Sequence, residues 1–159
     1  MPRLSPRPRA RRRRPAEPVT EIAFHVNTPD KIGYACRLLR KAWSVGSKVV
    51  VTGDPALLRE LDAALWTFSP VDFIPHCYEA QPALRERTPI VLADTPHAAP
   101  HVEVLLNLGP AVPPGFERFE RLIEVVAADE ADLQQGRMRW KHYASRGYAM
   151  KRHDRAEAR

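Results

Sequence analysis

From Glu21 onward, apolar and polar positions fall alternately into strand and helix periods. Glu21-Ile22-Ala23-Phe24-His25-Val26-Asn27 alternates strictly, the pattern of a half-buried strand. Thr28-Pro29-Asp30 then predicts a helix start, with Thr28 as cap and Pro29 at the first helical position. Ile32, Ala35, Cys36, Leu39, Ala42 and Trp43 share one face of that helix, and Gly46 ends it. Lys48-Val49-Val50-Val51-Thr52 is a continuous apolar run, as expected of a parallel strand covered on both sides. A second helix begins with Asp54 as cap and Pro55 in its first turn. Leu57, Leu58, Leu61, Ala64 and Leu65 form its buried face, and Trp66 closes it.

Further strands are expected at Ile90–Ala93, Val102–Leu108 and Leu122–Val126. A short helix around Phe116–Phe119 precedes the last of these, and a long helix runs from about Asp129 to Gly147. Strands alternating with helices predict an α/β fold: an open, mostly parallel, Rossmann-like sheet with helices on both faces.

Such a sheet invites a nucleotide, but its turns lack the chemistry. Asn27-Thr28-Pro29-Asp30-Lys31 contains no G-x-G-x-x-G, and Thr52-Gly53-Asp54-Pro55 has one glycine. A pyrophosphate needs free amides at a helix N-terminus; here proline removes an amide and an aspartate occupies the anion's place. No phosphate loop occurs. His97 and His101 are four apart but bounded by Pro96 and Pro100, and His76-Cys77 lacks further converging ligands, so no metal or other cofactor is expected. The serines have no nucleophile-elbow context. The chain reads as a non-enzyme.

Charge divides the chain. Residues 1–18 hold seven arginines (Arg3, Arg7, Arg9 and Arg11 to Arg14) against one acid, Glu17. That is the whole of the formal excess of +6, and the remainder balances 18 basic against 18 acidic residues. With five prolines and almost nothing apolar, residues 1–18 are expected to be disordered. Their chemistry suits either a solvated extension or a weak, sequence-independent contact with nucleic acid by counterion release. The rest divides into one domain over 19–150 and a charged tail over 151–159. No apolar run reaches membrane-spanning length. Cys36 and Cys77 show no redox or metal spacing, and Cys36 falls on the apolar helix face. A cytoplasmic protein with free thiols is expected.

Two constellations point to protein partners. Around Leu65-Trp66-Thr67-Phe68-Ser69-Pro70-Val71-Asp72-Phe73-Ile74-Pro75-His76, aromatics and prolines cluster just past a helix end. Rigid aromatics on a proline-stiffened loop make interface anchors, although Trp66 and Phe73 could equally plug the core beneath it. The second is Arg137-Met138-Arg139-Trp140-Lys141-His142-Tyr143 followed by Gly147-Tyr148. Arg137 and Lys141, four apart, share a helix face beside Trp140, and Gly147 is placed to cap. Cations beside an apolar wall suit a peptide ending in an apolar side chain and a free carboxylate. Cations near a helix C-terminus also simply complement its dipole.

Leu65-Trp66 with Phe73-Ile74-Pro75-His76, then Arg137-x-Arg139-Trp140-Lys141-x-Tyr143 with Gly147-Tyr148, and Glu124-Val125-Val126 before them, resemble the chi subunit family of bacterial DNA polymerase III. The likeness runs from about Thr20 to Met150. It implies a non-catalytic adaptor with two partners. The psi subunit of the clamp-loader complex would meet Trp66, Phe68, Pro70, Phe73, Ile74, Pro75 and His76. The acidic, phenylalanine-ended tip of single-stranded-DNA-binding protein would meet Arg137, Trp140, Lys141, Gly147 and Tyr148. The chain departs from the family pattern at Leu133, where the family carries a lysine, and in a shortened link between Val126 and Asp129. Arg139 and Arg146 are the alternative cations.

Overall fold

The computed structural model describes residues 19–67, 74–78, 88–93 and 101–155. Phe68, Pro70 and Phe73, and the expected disorder of residues 1–18, lie outside these. Among the described residues the strands are β1 (Glu21–Thr28), β2 (Val49–Thr52), β3 (His76–Tyr78), β4 (Ile90–Leu92), β5 (Val104–Asn107), β6 (Arg121–Ala127) and β7 (Met150–Asp154). The helices are α1 (Lys31–Ser44), α2 (Pro55–Thr67) and α3 (Glu130–Ser145), with a 3-10 turn at Phe116–Arg118. The sheet order is β3-β4-β2-β5-β6-β1-β7, and every pairing is parallel. This is the open Rossmann-like architecture expected.

Two cores sit on opposite faces. On one, α1 and α2 bury Cys36, Leu39, Leu58 and Leu61 against Val49, Val51, Leu106 and Val125. On the other, α3 and the 3-10 turn bury Tyr143, Phe116 and Phe119 against Phe24, Val50, Leu105 and Leu122. Strand β1 displays its alternation directly: Ile22, Phe24 and Val26 face α3, while Ala23, His25 and Asn27 are only half buried on the other side. Burial raises the Cys36 thiol to about 11, which keeps it inert.

Three expectations are corrected. Thr28 does not cap α1; it ends β1, its hydroxyl donating to the Val126 carbonyl at 3.1 Å. Asp30 is the cap, its carboxylate accepting the Gly33 amide, which puts Pro29 outside the helix. The tail expected from residue 151 is instead strand β7, in register with β1 from Ile22↔Met150 to Val26↔Asp154. Asn27 Nδ2 donates to both carboxylate oxygens of Asp154, at 2.9 and 3.0 Å, and the Arg155 amide donates to the Val26 carbonyl. Main-chain pairing holds this polar segment although it buries little. Strand β3 was not anticipated either. It is three residues long and follows Pro75, too short to show a period.

Candidate functional site

The α3 motif splits into an inward and an outward set. Arg139 is 2% exposed and Glu124, opposite it on β6, is fully buried. Arg139 Nε donates to Glu124 Oε1 at 2.8 Å and its Nη1 to the Pro110 carbonyl at 2.9 Å. Tyr143 donates to Glu124 Oε2 at 2.5 Å, and Asn107 Nδ2 donates to Oε1 at 2.9 Å. Asn107 also accepts the Gly109 amide, so the loop after β5 is strapped to the same cluster. Burial pushes the Glu124 carboxyl upward, offset in part by Arg139, Tyr143 and Asn107. Burial, reinforced by the Glu124 charge, likewise raises the Tyr143 phenol. Arg139 is therefore a core residue that locks α3 to the sheet. Its expected role as an alternative surface cation is corrected, because its guanidinium is committed to a buried carboxylate.

The outward set forms a groove. Phe24 and Val26 of β1, Val126 of β6, and Leu133 and Trp140 of α3 enclose about 290 Å³, with Arg137 and Arg152 also lining it. Trp140 stands edge-on to Phe24, with ring centres 5.1 Å apart. Gly136 makes the close helix–sheet approach: a Cβ there would lie 3.0 Å from Val126 Cγ2. Asp129 caps α3 by accepting the Asp132 amide, and Asp132 in turn binds the Ala127 amide at 2.7 Å and Lys31 at 2.9 Å. These contacts fix the short Val126–Asp129 link. An arginine fork beside an apolar slot can take a carboxylate while the slot takes an aromatic ring.

The five residues expected to receive the tip are thus not all brought together. Arg137 and Trp140 line the groove. Lys141 is exposed outside its lining. Tyr148 packs instead near Phe116 and Tyr143, with centres 5.4 and 6.4 Å apart. Gly147, at φ +86°, only reverses the chain after α3, a conformation costly for any side chain. Sequence reasoning missed Gly136, the lining role of Leu133, and Arg152. Leu133 lies seven residues before Trp140, a spacing that puts both on one helix face. Arg152 carried no signal, because its segment reads as tail.

The aromatic segment also divides. Trp66 is 57% exposed at the end of α2, its ring 4.8 Å from that of His76. Ile74 and His76 are buried, so they cannot themselves present partner-facing surface, which corrects their expected role. His76 Nδ1 donates to the Ile74 carbonyl at 2.8 Å, and its Nε2 stands 3.0 Å from Asp62. Pro75 is half buried.

A family model described as DNA polymerase III chi subunit, HolC, matches residues 19–151. The chain is 31% identical over 140 residues to the DNA polymerase III subunit chi of Pseudomonas aeruginosa, covering 85% of this chain and 96% of that protein. It is 29% identical over 116 residues to the Haemophilus influenzae subunit chi, covering 72% and 80%. Among solved structures it is similar to the C-terminal domain of the DEAD-box protein Dbp5, with a TM-score of 0.57 and 13% identity over 88% of this chain and 92% of that one. A Saccharomyces cerevisiae Dbp5 variant bound to Nup159, Gle1, IP6 and ADP gives 0.59 and 12%, over 85% of this chain and 42% of that one. Those two likenesses concern the fold alone. The family match across both cores and both motifs, rather than the fold, identifies the chain: it belongs to the DNA polymerase III chi subunit family.

Proposed function

We propose that this chi-family chain is a non-catalytic replisome adaptor that joins the clamp-loader complex, through psi, to the C-terminal tip of single-stranded-DNA-binding protein. The observation that carries the reading is the groove between α3 and β1–β6–β7, where Arg137 and Arg152 line a slot shared with Phe24, Leu133 and Trp140. A terminal phenylalanine would enter the slot and its carboxylate would meet Arg137. The acidic residues before it would lie along Arg152 and the exposed Lys141. Leu133, in place of a family lysine, supplies apolar wall at the cost of one cation, and Arg152 restores the charge from β7. The chain would act by tethering, raising the effective concentration of polymerase at coated single strands with no bond made or broken. Trp66, standing out beside half-buried Pro75, is the anchor offered to psi.

Calorimetric titration with the cognate acidic tip peptide tests this. Saturable binding that disappears when the terminal phenylalanine is removed is the expected result; no binding at low salt would refute the groove as a tip site. Trp66→Ala should weaken psi binding and leave tip binding unchanged, and the opposite pattern would reverse the two assignments.

A further inference from the structure

Parallel sheets are ordinarily covered by helices on both faces, because every strand buries side chains in both directions. Here α3 covers β1 on one side. On the other, α1 packs over β6 and, among the described residues, no helix lies over β1 and β7. The strip left open is a groove of about 800 Å³ along the flank of α1. Its lining is mostly apolar, with Leu38, Ala42 and Val45 along α1, Ala23 on β1, Val104 on β5 and Ile123 on β6. Val45, just past the end of α1, is 69% exposed, and Val19, just before β1, is 66% exposed, so apolar surface reaches solvent at this end. His25 adds no charge to the floor: burial, then the positive charges of His153, Arg155 and Arg121, hold it down to about 4, and its Nδ1 is hydrogen-bonded to the Tyr34 hydroxyl. Charge stands at the walls instead. Lys41 is exposed on α1 and Lys151 on β7, on either side of β1, and neither forms an ion pair among the described residues. Arg121 and Glu21 stand in register on β6 and β1 and offset one another, which leaves Lys41 and Lys151 as the net charge of the lining.

We propose that this groove is a docking site for a short amphipathic helix of a partner protein, its apolar stripe flanked on both sides by acidic residues. Strand β1 is paired along both edges, so the floor offers no main-chain groups to an extended peptide. A segment lying on these apolar side chains must satisfy its own main chain, as a helix does. Helices are also what cover the rest of this sheet. The dimensions agree: two strands about 4.8 Å apart make a strip about as wide as one helix, about 10 Å. The five residues of β7 span about 16 Å, matched by about eleven residues of helix, or three turns. Lys41 and Lys151, on opposite walls, select the flanks: an acidic residue on either side of the stripe meets a cation, whereas a basic helix is repelled. Because the tip groove lies on the opposite face, the two sites can be occupied together, and this inference stands or falls apart from the adaptor reading.

Fluorescence anisotropy of a labelled designed peptide of about fourteen residues tests the site on the full-length protein. The probe carries leucines at i, i+3, i+4 and i+7 with glutamates on both flanks, and its amidated C-terminus leaves no carboxylate for the tip groove. Saturable binding is expected, with a gain of helical circular dichroism. Lys41→Glu with Lys151→Glu should weaken it at least about tenfold, and so should Val45→Asp, which charges surface that the stripe must cover. All three positions are exposed, so the variants should melt as the wild type does. A probe with lysines in place of the glutamates should bind the wild type at least about tenfold more weakly and recover affinity on the Lys41→Glu, Lys151→Glu variant. Arg137→Ala should bind the acidic probe unchanged. Absence of wild-type binding would overturn the proposal, and with tip binding intact it would overturn this proposal alone. Equal binding of the acidic and basic probes, binding without a gain of helix, or variants that bind as tightly as wild type would overturn it too. A dimer in sedimentation that Val45→Asp dissociates, with no probe bound, would assign the face to a second copy and equally remove the helix site.

Discussion

The two faces of the sheet use charge in opposite ways at β1. On the α3 side, Arg139 and Glu124 are drawn into the core, wrapped by Tyr143 and Asn107, and removed from any partner's reach. On the α1 side, Arg121 and Lys151 remain in solvent with no paired carboxylate among the described residues. A buried pair specifies one arrangement of helix on sheet, because any other leaves an unpaired charge in a low dielectric. Exposed cations specify nothing about the fold and are free to meet an anion. The α3 side therefore builds a shaped groove, and the other side offers a field.

The largest effect should come from breaking the buried pair. Arg139→Met is expected to cost about 3–5 kcal/mol of stability, read by denaturant unfolding, because it strands the Glu124 carboxylate. The loss should depend on pH. Glu124 already titrates above its unfolded value, so its contribution is fullest below that value and falls as pH rises through the folded one. Removing Arg139 raises the folded value further, so the variant's deficit should grow as pH rises, read by comparing unfolding at a lower and a higher pH. Equal deficits at both pH values would mean that the pair does not control the ionisation of Glu124.

Arg137, two residues earlier in the chain, should behave in the reverse manner. Arg137→Ala is expected to weaken tip binding about 10- to 150-fold in calorimetry, the loss of a charge-assisted contact of roughly 1.5–3 kcal/mol. Its stability should stay within about 0.5 kcal/mol of wild type, since the side chain is exposed. Gly136→Ala pushes a methyl toward Val126 and should destabilise by about 1–3 kcal/mol in chemical denaturation, with a loosened groove. Wild-type stability there would show that α3 can shift outward freely.

The smallest effect belongs to the open face. The folded-state value of His25 is lowered, so its contribution is present above about 6.5 and is lost as pH falls toward about 4, where the unfolded chain protonates first. His25→Asn should flatten the fall in melting temperature across that window. A slope identical to wild type would assign the acid sensitivity elsewhere.

The elements that were legible in the sequence are those whose burial follows a period. The continuous apolar run at Val49–Thr52 could only be a strand covered twice, and the alternation at Glu21–Asn27 marked a strand with one packed and one open side. The helix caps were less certain, because Thr28, Pro29 and Asp30 are all competent starters and only packing shows that Thr28 is needed by β6. In the candidate site, Arg137 and Trp140 were readable from helical spacing beside one another. One clue to the role of Arg139 was present: Glu124 is a lone acid in the apolar strand Leu122–Val126, which in a buried position demands a cation. Nothing marked Met150-Lys151-Arg152-His153-Asp154 as a strand, because its stability comes from main-chain bonds to β1 and not from apolar side chains.

By itself, then, the sequence determined the α/β class, the parallel sheet, the lack of a glycine-rich phosphate turn, and the family motifs on α2 and α3. Periodicity and turn chemistry are local, and a linear reading captures local physics. Which of two arginines two residues apart turns inward, which face of β1 stays open, and that Arg152 reaches the same groove as Arg137 were decided only in three dimensions. Each depends on a partner far along the chain: Glu124 for Arg139, the placing of α1 for His25, and the pairing of β7 with β1 for Arg152. Their energies exist only once those segments have met, which no spacing along the chain records.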